Sequence, residues 1–245
     1  TEEFRHLDED ALRKTMTEIA RLGSVLLVHA EWPSALKGAD PSISPRDYRS
    51  WLFTRPVEAE REAIARIVEL ANHTGCRCHI VHVSSPLALA PLDNSEITCE
   101  TCAHYLAFSA EEVEESATNF KCAPPIREAS HREGLWKALG QGRIQMVTSD
   151  HSPCPPDLKN QSFLDSWGGI AGVQMLLSAT WTGASARGYS LSDLARWVAQ
   201  EPARLAGLQA RKGSIEVGRD ADLVIFDPER EYRCESLIHR HGGSH

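Results

Sequence analysis

Three short apolar runs each lead into a residue able to bind a metal. Val25-Leu26-Leu27-Val28 ends on His29, Cys78 to Val83 carries His82 near its C-terminal end, and Ile144 to Thr148 runs into Ser149-Asp150-His151. Imidazole nitrogens with a carboxylate suit Zn2+, and Mn2+, Fe2+ or Co2+ fit the same donors. A single His at a strand end is usually a structural side chain, but the repetition over three strands favours a site. Cys99-x-x-Cys102 invites a zinc or redox reading. No second C-x-x-C follows it, and an odd spacing in a strand sends the two thiols to opposite faces, so structural cysteines are the better reading.

The elements that must position these residues alternate between strand and helix. Leu12, Met16, Ile19, Ala20 and Leu22 fall near helical spacing before Gly23. Thr54 reads as an N-cap, with Pro56 in the first turn of a helix whose stripe, Val57, Ala63, Ile64, Ile67, Val68 and Ala71, runs up to Gly75. A strand over Ile97 to Cys102 leads to His104. Ser109-x-x-Glu112 and Ser130-x-x-Glu133 read as capping boxes that open helices, the second one ending at Gly140. Helical periodicity follows over Ile170 to Trp181 and Leu191 to Ala199, and then 213–218 and 220–227 read as two β segments joined by a turn. His239-Arg240-His241 lies beyond these and reads as solvent-facing, and Gly242 to His245 as a linker running into a cropped tag.

Composition narrows the field. The chain has 245 residues with 26 Lys+Arg against 34 Asp+Glu, a formal charge of −8 that argues against a general nucleic-acid binder. With 42% apolar and 24% charged residues a globular core is available. No apolar run approaches the roughly 18 residues of a membrane span, and the acidic Thr1-Glu2-Glu3 is unlike a signal peptide. Seven cysteines, an odd set spread along the chain, suggest no disulfide framework and point to a reducing cytoplasm.

Taken together, the motifs Val28-His29-Ala30-Glu31, His82-Val83-Ser84-Ser85-Pro86, Thr101-Cys102-Ala103-His104-Tyr105, Lys121-Cys-Ala-Pro-Pro-Ile-Arg127, Ser149-Asp150-His151-Ser152-Pro153-Cys154 and Trp167-Gly-Gly-Ile-Ala-Gly172 give the chain a resemblance. It resembles the cyclic amidohydrolases of the metal-dependent hydrolase superfamily, and within them the allantoinase branch. The resemblance implies an α/β fold in which this chain is the second half of a (β/α)8 TIM-type barrel, with part of a small β-sandwich domain at the C-terminus. Residues 1–208 then hold strands five to eight and their helices, 209–241 the partial β domain, and 242–245 the linker. It further implies a binuclear centre in which His29, His82 and Asp150 are metal ligands. The family's first-strand H-x-H and carboxylated Lys have no counterpart in this chain, which reads as a fragment or as one part of a split enzyme. Asp150 is implied as the catalytic group that moves a proton from the attacking water to the leaving ring nitrogen. Ala123 and Ser152, through their backbone, are implied substrate contacts.

Two readings stand for His104 and His151: contact with substrate or metal surroundings, and a structural imidazole. Glu31 is either an orienter of His29 or an exposed rim carboxylate, and Arg127 reads as a bridge between loops. The implied substrate is allantoin, opened to allantoate, with dihydroorotase and hydantoinase as neighbouring alternatives and a non-catalytic barrel fragment as an alternative of another class. Expected partners are the small-molecule substrate and either further copies of the chain or a complementary N-terminal half, with neither nucleic acid nor membrane.

Overall fold

The computed structural model describes residues 6–231. Four strands, β1 (Val25–Val28), β2 (Arg77–Ile80), β3 (Thr98–Cys102) and β4 (Met146–Thr148), form one all-parallel sheet in the order β1-β2-β3-β4. Parallel neighbours need long crossovers. Helix α1 (Glu9–Arg21) precedes β1, α2 (Tyr48–Thr54) and α3 (Val57–Thr74) join β1 to β2, and α4 (Ala103–Ala107) and α5 (Ala129–Gly140) lie between β3 and β4. Helices α6 (Leu176–Ser185), α7 (Leu191–Ala195) and α8 (Glu201–Leu205) follow. Strands that neighbour each other in chain order make a barrel wall rather than a doubly wound sheet. Val28 stands opposite Ile80, Ile80 opposite Cys99, and Cys102 opposite Thr148, so the chain leaves every strand on the same rim.

Local chemistry explains most element ends. Asp8 caps α1 by accepting the Ala11 amide at 2.8 Å, and Gly75, at φ 68, closes α3 in the left-handed region that suits glycine. The buried stripe Ala63, Ile64, Ile67, Leu70 and Ala71 sets α3 against the sheet. Pairing continues past β2, since the Val81 amide donates to the Val28 carbonyl at 3.1 Å and the Val83 amide to that of Glu100 at 2.8 Å. His82, at φ 46, interrupts the strand between them.

Several expectations need correction. Thr54 ends α2 instead of capping α3, because its hydroxyl donates back to the Trp51 carbonyl. Ser130 lies inside α5, whose first amide, Ala129, is held by the Glu111 carboxylate at 3.0 Å. The Ser109–Glu112 capping box forms but opens only a single 3-10 turn. Ile170 pairs with His151 as a β-bridge, and α6 begins later, at Leu176. After α7 a π turn over Arg196–Gln200 precedes α8; Pro202 has no amide proton for the carbonyl four residues back. The segments 213–218 and 220–227 form no strand. A strand exists only in a ladder, and Ile215, Val217, Leu223, Val224 and Ile225 are exposed, with no strand paired to them among the described residues. His239 to His241 and Gly242 to His245 lie outside the described residues.

The six described cysteines are buried free thiols. Burial pushes Cys78, Cys99 and Cys122 up to about 12, and Cys102 well above the usual thiol value. The folded chain therefore keeps protons that the unfolded chain releases above about 8.5, so this stability is complete below that pH and is lost as pH rises. Burial brings Lys121 and Lys159 down to about 8, an effect of opposite sign that is smaller in number. We expect the urea midpoint to fall steadily between about pH 8.5 and about pH 11, and less so in Cys99→Ala. A flat profile would contradict the assignment.

Candidate metal centre

His29, immediately after β1, is oriented by a carboxylate. Its Nε2–H donates to Glu31 Oε2 at 2.8 Å, and the same oxygen accepts from Arg55 at 2.6 Å. Burial by itself would raise Glu31, but the hydrogen bond from His29 and the charge of Arg55 outweigh it and hold the carboxyl at about 2. Glu31 is thus an ionised anchor with a side chain only 7% exposed, and the orienter reading holds over that of an exposed rim carboxylate. With Nε2 committed to Glu31, Nδ1 is the His29 nitrogen left to face the site.

Nδ1 of His29 faces Nε2 of His82 at 2.9 Å. His82 is buried, its Nδ1 has no hydrogen-bond partner, and burial, followed by the nearby His29, brings the ring down to about 3. It is therefore neutral at ordinary pH, the form in which imidazole binds metal. Two ring nitrogens directed at each other with at most one proton between them are what a divalent ion would separate and satisfy. The pair fits a metal.

Asp150 leaves β4 at φ 41, a strained backbone of the kind that concentrates at functional sites. Burial raises its carboxyl, His29 opposes the rise and Glu100 adds to it. All three predicted ligands stand on the one rim. Asp150, however, groups with Cys102 and His104, the three donor atoms lying within 4.8 Å of one another, rather than with the histidine pair. Each strand adds about 4.8 Å across a sheet, and Asp150 stands two strands from His82 with the β3 rim between them.

His104 occupies that intermediate place, in α4, with both ring nitrogens buried and without partners. Burial holds it at about 3, so it too is neutral. His151 bridges to Ile170 and its Nδ1 accepts the Val173 amide at 3.4 Å.

The loops carrying these residues are cross-tied. Glu60 accepts the Ser84 amide at 2.8 Å and the Ser84 hydroxyl at 2.7 Å; Arg127 donates to Ser84 Oγ at 2.8 Å and to the Arg55 carbonyl at 3.0 Å. Arg127 therefore bridges loops, and through Arg55 it supports Glu31. The Lys159 amine donates to the carbonyls of Thr118, Lys121 and Gly169, and that of Lys121 to Leu164 and Ser166, which pins the segment after β4. The Ser152 amide is already engaged by the Ile170 carbonyl at 3.0 Å. A Cβ on Gly169 would stand 2.5 Å from the Ser152 carbonyl oxygen, and one on Gly172 2.8 Å from that of Ser149, so the Trp167-to-Gly172 motif keeps the backbone close behind Asp150. Ala123, half-buried, precedes a cis Pro124 whose carbonyl accepts the Tyr105 hydroxyl at 2.7 Å.

Sequence reasoning assigned no part to Arg55 or to the polar ladder below Asp150. In that ladder His79 meets Glu100 at 3.1 Å and Thr148 donates to Glu100 at 2.8 Å. A Glu inside a strand that otherwise reads as buried was the available signal.

Replacing Glu31 with Gln should weaken zinc binding at the rim about 10–100-fold, the usual cost of losing the carboxylate behind a ligating His. Competition with a chromogenic chelator measures it, and unchanged affinity would remove Glu31 from the site.

The chain as a whole is similar to known proteins. The chain is 44% identical over 245 residues to an allantoinase from Streptomyces avermitilis, covering 98% of this chain and 55% of that protein. It is 42% identical over 240 residues to an allantoinase from Arabidopsis thaliana, covering 90% and 47%. Among solved structures, the L-hydantoinase (dihydropyrimidinase) from Arthrobacter aurescens superposes with a TM-score of 0.80 at 30% identity, covering 89% of this chain and 51% of that one. The chain thus spans about half the length of the curated relatives it matches. The profile of the amidohydrolase family matches residues 3–238, nearly the whole sequence, and with the parallel sheet and its rim this shows that the chain belongs to the amidohydrolase family.

Proposed function

We propose that this chain contributes part of the metal centre of an allantoinase-type enzyme, which hydrolyses the cyclic amide bond of allantoin to give allantoate. The observation that carries the reading is identity above 40%, spread along the chain, to allantoinases of a bacterium and a plant. In the complete catalytic assembly His29 Nδ1, His82 Nε2 and the Asp150 carboxylate would contribute to a binuclear centre, with zinc as the metal the donors favour. When bound, the metal supplies Lewis acidity, polarising the ring carbonyl and making water acidic enough to attack at neutral pH.

The chain's own groups do the rest. Asp150, its carboxyl raised by burial, is a better base than an ordinary carboxylate, and it takes the proton of the attacking water and returns it to the leaving ring nitrogen. Glu31 and Arg55 hold His29 in one tautomer and one orientation. An open ring nitrogen of His104 and the backbone at Ala123 and Ser152 would meet the polar edge of the ureide. Cytoplasmic location is part of the proposal, supported by six free thiols; among the described residues no helix is long and apolar enough to cross a membrane. Dihydroorotase or hydantoinase activity is the alternative, the second favoured by the likeness to the Arthrobacter hydantoinase.

Initial rates on allantoin, dihydroorotate and hydantoin test the assignment. We expect kcat/KM for allantoin to exceed that for dihydroorotate by at least about 100-fold, a factor that buried hydrogen-bonding groups readily supply. Comparable or higher efficiency on dihydroorotate would move the protein to the neighbouring activity.

A further inference from the structure

We propose that Cys102, His104 and Asp150 form an alternative cation site for a thiophilic divalent ion such as Zn2+ or Co2+, sharing Asp150 with the His29 and His82 set and competing with it for that carboxylate. The three donor atoms lie within 4.8 Å of one another. Tetrahedral zinc, with Zn–S about 2.3 Å and Zn–N and Zn–O about 2.0–2.2 Å, places its ligands about 3.3–3.8 Å apart, so side-chain adjustment of about an ångström closes the site.

A second observation is independent of that clustering. Both nitrogens of His104 are buried without a partner, and the residue is only 5% exposed. A buried polar atom left unsatisfied is destabilising, and an ion bonded to one nitrogen would relieve that cost. The second nitrogen stays open.

The Cys102 thiol, fully buried beside His104, is held only by a long contact. Its hydrogen-bond partner is the Thr148 hydroxyl, at the long distance of 3.7 Å, and Thr148 in turn donates to Glu100 at 2.8 Å. On binding, the S–H bond breaks, its proton passes to solvent, and the sulfur lone pair forms the bond to the metal; no electron is transferred. Backbone geometry fixes the donors: Cys102 ends β3, His104 lies in the first turn of α4, and Asp150 follows β4, which pairs with β3 through Cys102 and Thr148. A sulfur donor makes this site softer than one built from imidazole and carboxylate alone, and it should prefer Zn2+ or Co2+ over Mn2+.

The test is spectroscopic and needs no substrate, so its outcome is separate from that of the allantoinase reading. Titrating the metal-free 245-residue chain with Co2+ should produce a near-ultraviolet thiolate-to-cobalt charge-transfer band. Cys102→Ser should abolish the band while circular dichroism stays native. His104→Ala should weaken Co2+ binding at least about tenfold, and the double variant His29→Ala/His82→Ala should keep the band. X-ray absorption of the zinc-loaded wild-type chain, which requires no variant, should show a Zn–S distance of about 2.3 Å. No band and no sulfur shell in the wild type, a band that survives in Cys102→Ser, or a band lost in the double variant would each overturn the proposal.

Discussion

Mixed with the N-terminal portion of its Streptomyces avermitilis relative, the 245-residue chain should open allantoin at ordinary enzyme rates, about 1–10³ s⁻¹. Alone it should be slower by at least about a thousandfold, because members of a catalytic unit fail together when part is missing. The chain would supply His29, His82 and Asp150 as ligands, while the family arrangement its motifs imply also uses two further histidines and a carboxylated lysine. Its four strands form an open sheet in which β1 pairs with β2 alone among the described residues, and Leu27 on β1 is 57% exposed. Such an edge leaves unpaired backbone groups that a further strand would satisfy. Size-exclusion chromatography with metal analysis and an allantoin assay, with and without the companion segment, checks the expectation. A monomeric chain that holds two tight metals and turns over allantoin unaided would refute it.

Asp150→Asn in the complemented enzyme should lower kcat about 10²–10⁴-fold, the range for loss of a positioned general base. The change is nearly isosteric but removes both the negative charge and the basic oxygen. Metal content must be read alongside. A large fall in kcat with metal retained assigns Asp150 to proton transfer, whereas a fall that tracks metal loss restricts it to ligation. An enzyme with undiminished kcat would remove Asp150 from the chemistry altogether.

The strands and the residues that end them were legible because a buried parallel strand is a continuous apolar run, and Val25 to Val28 appears as one. Helix α3 was legible from its stripe and from Gly75. What sequence left open was set by tertiary contact. Whether Glu31 orients His29 depends on Arg55, 24 residues away, which confines the carboxylate. The grouping of Cys102 with His104 and Asp150 depends on the β3–β4 register, which the alternation of residues along either strand does not specify. The 213–227 segment reads as β by composition, but pairing requires a partner that its pattern alone does not provide. Capping was legible as chemistry and misplaced in position, since Glu111 takes the role at α5 that Ser130 seemed to offer by spacing.

If the rim at the C-terminal ends of the strands is a metal centre, His29 binds there through Nδ1, its Nε2 being committed to Glu31. Anomalous diffraction at the zinc edge from the zinc-loaded, complemented protein should then show a peak about 2.0–2.1 Å from both His29 Nδ1 and His82 Nε2, with the Glu31 contact to His29 intact. A zinc-loaded rim with no peak between those two nitrogens, or with His29 turned to bind through Nε2, would contradict it.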